Sequence, residues 1–242
     1  MRYKCTCMYD GTSFHGFQIQ TGLRTIQAEI ENALLIINKE ATSIHPSGRT
    51  DAGVHAIGQV FHFDSFIDMG EWNMQNAINS RIDKAIYLTK VEKVNADFHS
   101  RRSCISKEYH YLIDFGEFNP HLRNYRYYFS SGKVDINKFL DAFSVYVGEH
   151  DFKSFSKAKD TYNTIRIINT INFEKQDTLV TVKIVGNGFL HNQIRILVAM
   201  ALEVGMGKLS KDDLKSIMKA KNRGLAPKIA PANGLYLYKV NY

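Results

Sequence analysis

An α+β protein built from two tandem halves, each ordered strand–helix–strand–strand–helix–strand, is what the sequence predicts. Three observations carry that prediction. Apolar residues alternate singly in some segments and recur every three or four residues in others, so strand and helix periods are interleaved. The order of periods starts over near Ser106. The 242 residues, 44% of them hydrophobic and 23% charged, suffice for two cores and exclude a disordered or collagen-like chain.

In the first half, Tyr3, Cys5, Cys7 and Tyr9 alternate with Arg2, Lys4, Thr6 and Met8, which predicts a strand with one buried face. Ile26, Ile30, Ala33, Leu34 and Ile37 fall at helical spacing, with Thr25 as N-cap. A short strand is expected around residues 43–45. Residues 57–64 alternate again, with Phe61 and Phe63 sharing a face. Residues 71–82 predict a short helix through Met74, Ala77, Ile78 and Ile82, and residues 85–94 a strand carrying Tyr87, Thr89 and Val91.

In the second half, Tyr109, Tyr111, Ile113 and Phe115 alternate as a strand. Phe139, Phe143 and Val147 predict a helix capped by Asp135 and stopped at Gly148. Residues 164–174 and 178–186 read as two strands joined by a polar turn at Gln176 and Asp177. A longer helix follows, with Ile194, Leu197, Val198 and Ala201 on one face. Ser210 with Asp213 resembles a capping box opening a helix through Leu214, Ile217 and Met218, and residues 235–240 close the chain as a strand. Each half thus has the split βαβ, ferredoxin-like order, in which two helices cover one face of a mostly antiparallel sheet. The expected domains are 1–105 and 106–242. Open faces of such sheets are a common RNA platform.

Charge divides along the same line. Residues 1–105 hold 11 basic and 11 acidic side chains, and the remainder holds 20 and 13, the whole net charge of +7. A basic half beside a neutral one suits an RNA-binding surface, and equally a generic lysine-rich one. Three cysteines, Cys5, Cys7 and Cys104, are too few for a disulfide framework and point to a reducing compartment. The first residues lack the apolar core of a signal peptide, and no apolar run nears the ~18 residues of a membrane span. A soluble, cytoplasmic protein is expected.

No chelating His or Cys pair, Walker loop, dinucleotide fingerprint or serine-nucleophile elbow is found, so the sequence calls for no metal and no cofactor. One segment stands out: residues 46–56 place Arg49 and Asp51 two apart, between Gly48 and Gly53. Glycines let a backbone turn tightly and approach a ligand. One loop supplies a candidate carboxylate, a fixed cation and backbone donors. By itself it is equally a polar turn.

Gly48-Arg49-Thr50-Asp51-Ala52-Gly53-Val54-His55-Ala56 resembles the signature of the TruA family, tRNA pseudouridine synthases of the anticodon arm. Further segments match in family order. They are Tyr9-Asp10-Gly11-Thr12 with Phe14-His15-Gly16-Phe17-Gln18, and Phe98-His99-Ser100-Arg101-Arg102 with Lys107-Glu108-Tyr109-His110-Tyr111. Gly148-Glu149-His150-Asp151-Phe152 and Gly186-Asn187-Gly188-Phe189-Leu190-His191-Asn192-Gln193-Ile194-Arg195 follow, and Ala230-Pro231-Ala232-Asn233-Gly234-Leu235-Tyr236-Leu237 ends the series. Gln193-Ile194 stands where Met-Val is more usual, and residues 157–164 are less family-like.

The resemblance implies a cofactor-independent isomerase that converts uridine to pseudouridine at positions 38, 39 and 40 of tRNA, held in a central RNA-binding cleft, and a homodimer in which each tRNA touches both subunits. It implies that Asp51 is the catalytic nucleophile, that Tyr109 stacks on the target uracil, that Arg195 pairs with the aspartate, and that Arg49 handles the flipped nucleotide. His55, His62 and His99 receive no role. Taken singly, Arg195 is a helix-surface residue and Tyr109 a core one. The chemistry suits these residue types. The N1–ribose bond breaks and a C5–ribose bond forms with no net oxidation or hydrolysis. A carboxylate can attack the ribose or base, or remove a ribose proton. An arginine offsets its desolvation, and an aromatic face retains the detached base. A binding module without chemistry would have no need of Asp51, and a glycosidase usually shows a second working carboxylate.

Overall fold

The computed structural model of the chain describes residues 1–130, 132–157 and 163–242. Of the weakly family-like segment 157–164, residues 158–162 lie outside the described residues. Contacts divide the chain into two units: Met1–Lys107 with Tyr236–Tyr242, and Glu108–Leu235. The architecture is mixed α+β, as the interleaved periods predict.

In the first unit the elements run β1 (Arg2–Tyr9), α1 (Ile26–Asn38), β2 (His45–Pro46), β3 (His55–Asp64), α2 (Glu71–Asn79) and β4 (Ile86–Val94). Strand β1 is central and pairs antiparallel with β3 on one side and β4 on the other. Its alternation is borne out: Tyr3, Cys5, Cys7 and Tyr9 are buried. Tyr3 stacks on Phe63 at a centroid distance of 5.5 Å, and burial of each such side chain stabilises by about 1.5–3 kcal/mol. Helix α1 begins where expected because the Thr25 hydroxyl accepts the Ala28 amide. It buries Ile26, Ile30, Ala33 and Leu34, and α2 buries Met74 and Ile78.

The strand expected over 85–94 forms as β4, but of the three side chains named for it only Val91 faces the core. Tyr87 and Thr89 are exposed, whereas Ile86, Leu88 and Val91 are buried. The pairing steps from Cys7↔Leu88 to Thr6↔Lys90, so Thr89 is skipped in the register, and its hydroxyl donates to Thr6 O at 3.2 Å. Such a bulge shifts the alternation by one residue.

The end of the chain also departs from the expected division. Strand β10 (Leu235–Asn241) falls almost wholly in the first unit, through Tyr236–Tyr242. Strand β2 is only two residues long and pairs with β3 at His62 and Phe61, leaving the His55–Ala56 end of that edge open. Strand β10 fills it in parallel register, Tyr236↔His55 and Leu237↔Ala56, and Asn241 accepts the Ile105 amide at 2.9 Å.

The second unit contains β5 (Ser106–Asp114, from Glu108 onward), β6 (Tyr127–Tyr128), α3 (Ile136–Ala142), β7 (Gly148–Asp151), β8 (Ile165–Gln176), β9 (Leu179–Gly186), α4 (Gln193–Gly205) and α5 (Lys211–Ala220). Its main strands lie in the order β5-β9-β8-β7, with β6 beside β5. The short strands β6 and β7 are not foreseen from period, having too few residues to show one. Helix α3 is capped by Asp135, as predicted, then tightens into a 3-10 turn over Phe143–Tyr146. The tighter winding buries Tyr146 and leaves Val147 41% exposed, where a continued α-helix would bury Val147. Helix α4 is buried on almost every side, not on one face alone.

Candidate active site

The loop between β2 and β3 is fixed from three directions. At its start, the Ser47 amide donates to Val60 O at 2.7 Å, extending the pairing of β2 with β3. Gln59, a fully buried amide on β3, accepts from the Ser47 hydroxyl and donates to Gly48 O, both at 2.9 Å. The Lys107 ammonium donates to Ser47 O at 2.6 Å. In the middle, the buried Tyr9 and Thr50 hydroxyls are 2.8 Å apart, and Thr50 O accepts the Phe17 amide at 3.1 Å.

At its end the loop closes on itself. The Val54 amide donates to Asp51 O at 3.1 Å across Ala52 and Gly53, and Gly53 has φ 76, a left-handed value that glycine adopts without strain. The segment 10–17 lies against this turn. A Cβ on Gly11 would collide with the Val54 carbonyl, and one on Gly16 would come within 2.7 Å of Thr50 O. His55 is buried, accepts the Gly11 amide on Nδ1 at 3.1 Å, and stacks on Tyr236 at 4.7 Å. The Asp10 carboxylate lies 3.3 Å from the same Nδ1. The clamp leaves Asp51 half-buried and Arg49 exposed.

The second unit holds the other two expected residues. Tyr109 on β5 is 7% exposed, with its ring edge-on to Phe189 at 5.2 Å. Arg195 is half-buried on the first turn of α4. Its Nε donates to Ala230 O at 2.7 Å and its Nη1 to Asn192 Oδ1 at 2.8 Å, while Arg195 O accepts the Ala230 amide at 3.0 Å. The guanidinium is therefore held to one direction by the segment before β10. Next to Tyr109, Tyr111 is fully buried and donates to Pro231 O at 2.9 Å, and burial pushes its phenol well above the ordinary range.

The structure thus brings Arg49 and Asp51 together on one clamped loop of the first unit, and sets Tyr109 and Arg195 on regular elements of the second. Sequence reading missed Tyr9 and Gln59 as supports. Gln59 had one signal, an amide amid the apolar run Val60, Phe61 and Phe63. Gly11 and Gly16 lay in a quoted motif, but nothing in the sequence says which backbone they must admit. Among the described residues, no cluster of three or more His, Cys, Asp or Glu side chains could hold a metal ion.

A loop of this kind on an α+β frame defines a class of protein before any name does: one that displays a carboxylate and a cation on a rigid turn, as an enzyme site requires. The profile of the tRNA pseudouridine synthase family matches residues 6–101 and 142–242. The tRNA pseudouridine synthase A 1 of Bacillus cereus (strain ATCC 10987 / NRS 248) is 43% identical over 244 residues, covering 100% of this chain and 98% of its own. The tRNA pseudouridine synthase A of Limosilactobacillus reuteri (strain DSM 20016) is 45% identical over 249 residues, covering 100% and 96%. That of Bacillus licheniformis is 41% identical over 245 residues, covering 100% and 99%. The chain belongs to the TruA family of tRNA pseudouridine synthases, and it is an enzyme of the isomerase class.

Proposed function

We propose that this enzyme isomerises uridine to pseudouridine in the anticodon stem-loop of tRNA, at positions 38, 39 and 40, without a cofactor and with Asp51 as nucleophile. The observation that carries the reading is the full-length match to synthases of that name, with the Arg49–Asp51 loop intact and clamped. Asp51 attacks the target nucleoside and the N1–ribose bond breaks. The base turns while Tyr109 stacks on it; C5 then joins the ribose carbon, the bond to Asp51 breaks to return the free carboxylate, C5 loses its proton and N1 gains one. Arg195 offsets the cost of desolvating the carboxylate, and Arg49 contacts the flipped nucleotide. Flipping a base out of a stem costs a few kcal/mol, which contacts to phosphates offset. The two units are read as tandem ferredoxin-like halves. Support comes from the first, where β4, β1 and β3 are neighbours and β2 lies beyond β3, the order of a split βαβ sheet. We place the enzyme in the cytoplasm, acting as a homodimer in which each tRNA touches both subunits.

Asp51→Asn tests the assignment. Asparagine keeps the volume and one acceptor but is not a nucleophile. Pseudouridine formation on an unmodified tRNA transcript, followed by mass spectrometry of the nucleosides after base-specific derivatisation, is expected to vanish while tRNA binding stays near the parent value. Turnover within about tenfold of the parent would refute Asp51 as nucleophile.

A further inference from the structure

We propose that Gln59 is a positioning residue for the reaction, holding the entry of the catalytic loop so that Asp51 meets its substrate in one geometry. The proposal rests on the reading of Asp51 as nucleophile and extends it to a side chain of β3 that has no role in that chemistry. Gln59 is 0% exposed, and so is Ser47. Its amide is used at both ends: Oε1 accepts from the Ser47 hydroxyl and, at 3.1 Å, from the Val60 amide, while Nε2 donates to Gly48 O. A carbonyl can only accept, so the amide nitrogen must face Gly48, and the side chain has a single orientation. A buried polar amide gains nothing over an apolar side chain of the same volume unless its bonds do something. Here they fix the two residues that directly precede Arg49. Asp51 lies three residues beyond Gly48, with Thr50 tied to Tyr9 and Asp51 O to Val54. The Lys107 ammonium holds the outward side of the same turn through Ser47 O. Without the Gln59 amide, the buried Ser47 Oγ and the half-buried Gly48 O lose that partner. The loop then has to shift to find another.

The test is steady-state kinetics of Gln59→Met on an unmodified tRNA transcript, beside Ser47→Ala, the double variant and Asp51→Asn. Misplacing a reacting group by about 1 Å costs on the order of 100-fold in rate, so kcat of Gln59→Met should fall roughly 10- to 100-fold while KM stays within about twofold. Ser47→Ala should lose less, because the bond to Gly48 O survives, and should add little in the Gln59→Met background, where the shared bond is already gone. Amide hydrogen exchange should rise across residues 47–54 of Gln59→Met and stay at the parent rate in β1. A kcat within about twofold of the parent, a loss confined to KM, or unchanged exchange in 47–54 overturns the proposal. Should Gln59→Met fail to fold, Ser47→Ala carries the same test: a lowered kcat with unchanged KM supports the proposal, and a parental kcat overturns it. An active Asp51→Asn refutes the underlying reading instead, whereas inactive Asp51→Asn beside fully active Gln59→Met refutes Gln59 alone.

Discussion

Single side chains in this enzyme are fixed by how their polar atoms are satisfied, and His62 shows the consequence for pH. On β3, its buried ring stacks with His45 at 5.0 Å and lies 4.7 Å from His99. Nδ1 accepts the Ser100 amide at 3.2 Å, and the Ser100 hydroxyl donates to His45 O at 2.5 Å. A proton on Nδ1 would face that amide. Burial, followed by Arg2, His45 and His99, lowers the His62 pKa from 6.5 to about 4, with Asp64 opposing. The folded chain therefore refuses a proton that the unfolded chain accepts. Stability contributed by neutral His62 is complete above about pH 6.5 and is lost as pH falls toward 4, each tenfold change in proton affinity being worth about 1.4 kcal/mol. Urea unfolding at pH 7, 5.5 and 4.5 should show His62→Asn losing less stability on acidification than the parent. Parallel losses would place the sensitivity elsewhere, His99 included, since burial and Arg102 lower its pKa too.

At the scale of the element, three of the α-helices, α1, α3 and α5, start where side chains satisfy their first amides. Thr25, Asp135 and Ser210 each accept an amide at N3, and Ser210 and Asp213 form a complete capping box on α5, with bonds of 3.1 and 2.8 Å. Ser210 and Asp213 are exposed, so Ser210→Ala removes the cap without opening a cavity. The expected cost is about 1 kcal/mol, seen as a lower urea midpoint at unchanged m-value, with Ser210→Thr close to the parent. A midpoint of Ser210→Ala equal to the parent's would mean that packing of Leu214, Ile217 and Met218 alone sets the start of the helix. The same bonds explain why those boundaries were readable. Interior irregularities were not, because neither the bulge at Thr89 nor the 3-10 turn over Phe143–Tyr146 has a marker residue.

For the whole molecule, the excess of basic side chains lies entirely beyond residue 105. If that half binds tRNA phosphates, neutralising them releases counterions, and the logarithm of affinity falls with the logarithm of salt by roughly 0.7 to 0.9 per contact. Fluorescence anisotropy with labelled tRNA between about 50 and 200 mM salt should give a steep slope. Binding that is flat over that range would separate the basic half from substrate recognition.

By itself the sequence determined the long strands and helices, three of the helix caps, the alternation of β1 and the family resemblance of the Asp51 loop, because period, capping and a contiguous motif are local properties. Tertiary structure alone decided three things. It placed β10 with the first unit, because the two-residue β2 leaves the His55 end of β3 unpaired. It buried Tyr146 in place of Val147, because the last turn of that helix tightens. And it set Tyr9, Gln59 and Gly11 against the Asp51 loop, because a backbone carbonyl such as that of Gly48 or Val54 has no sequence signature of its own. The residue that must approach it, or satisfy it, is found only once the chain has folded back.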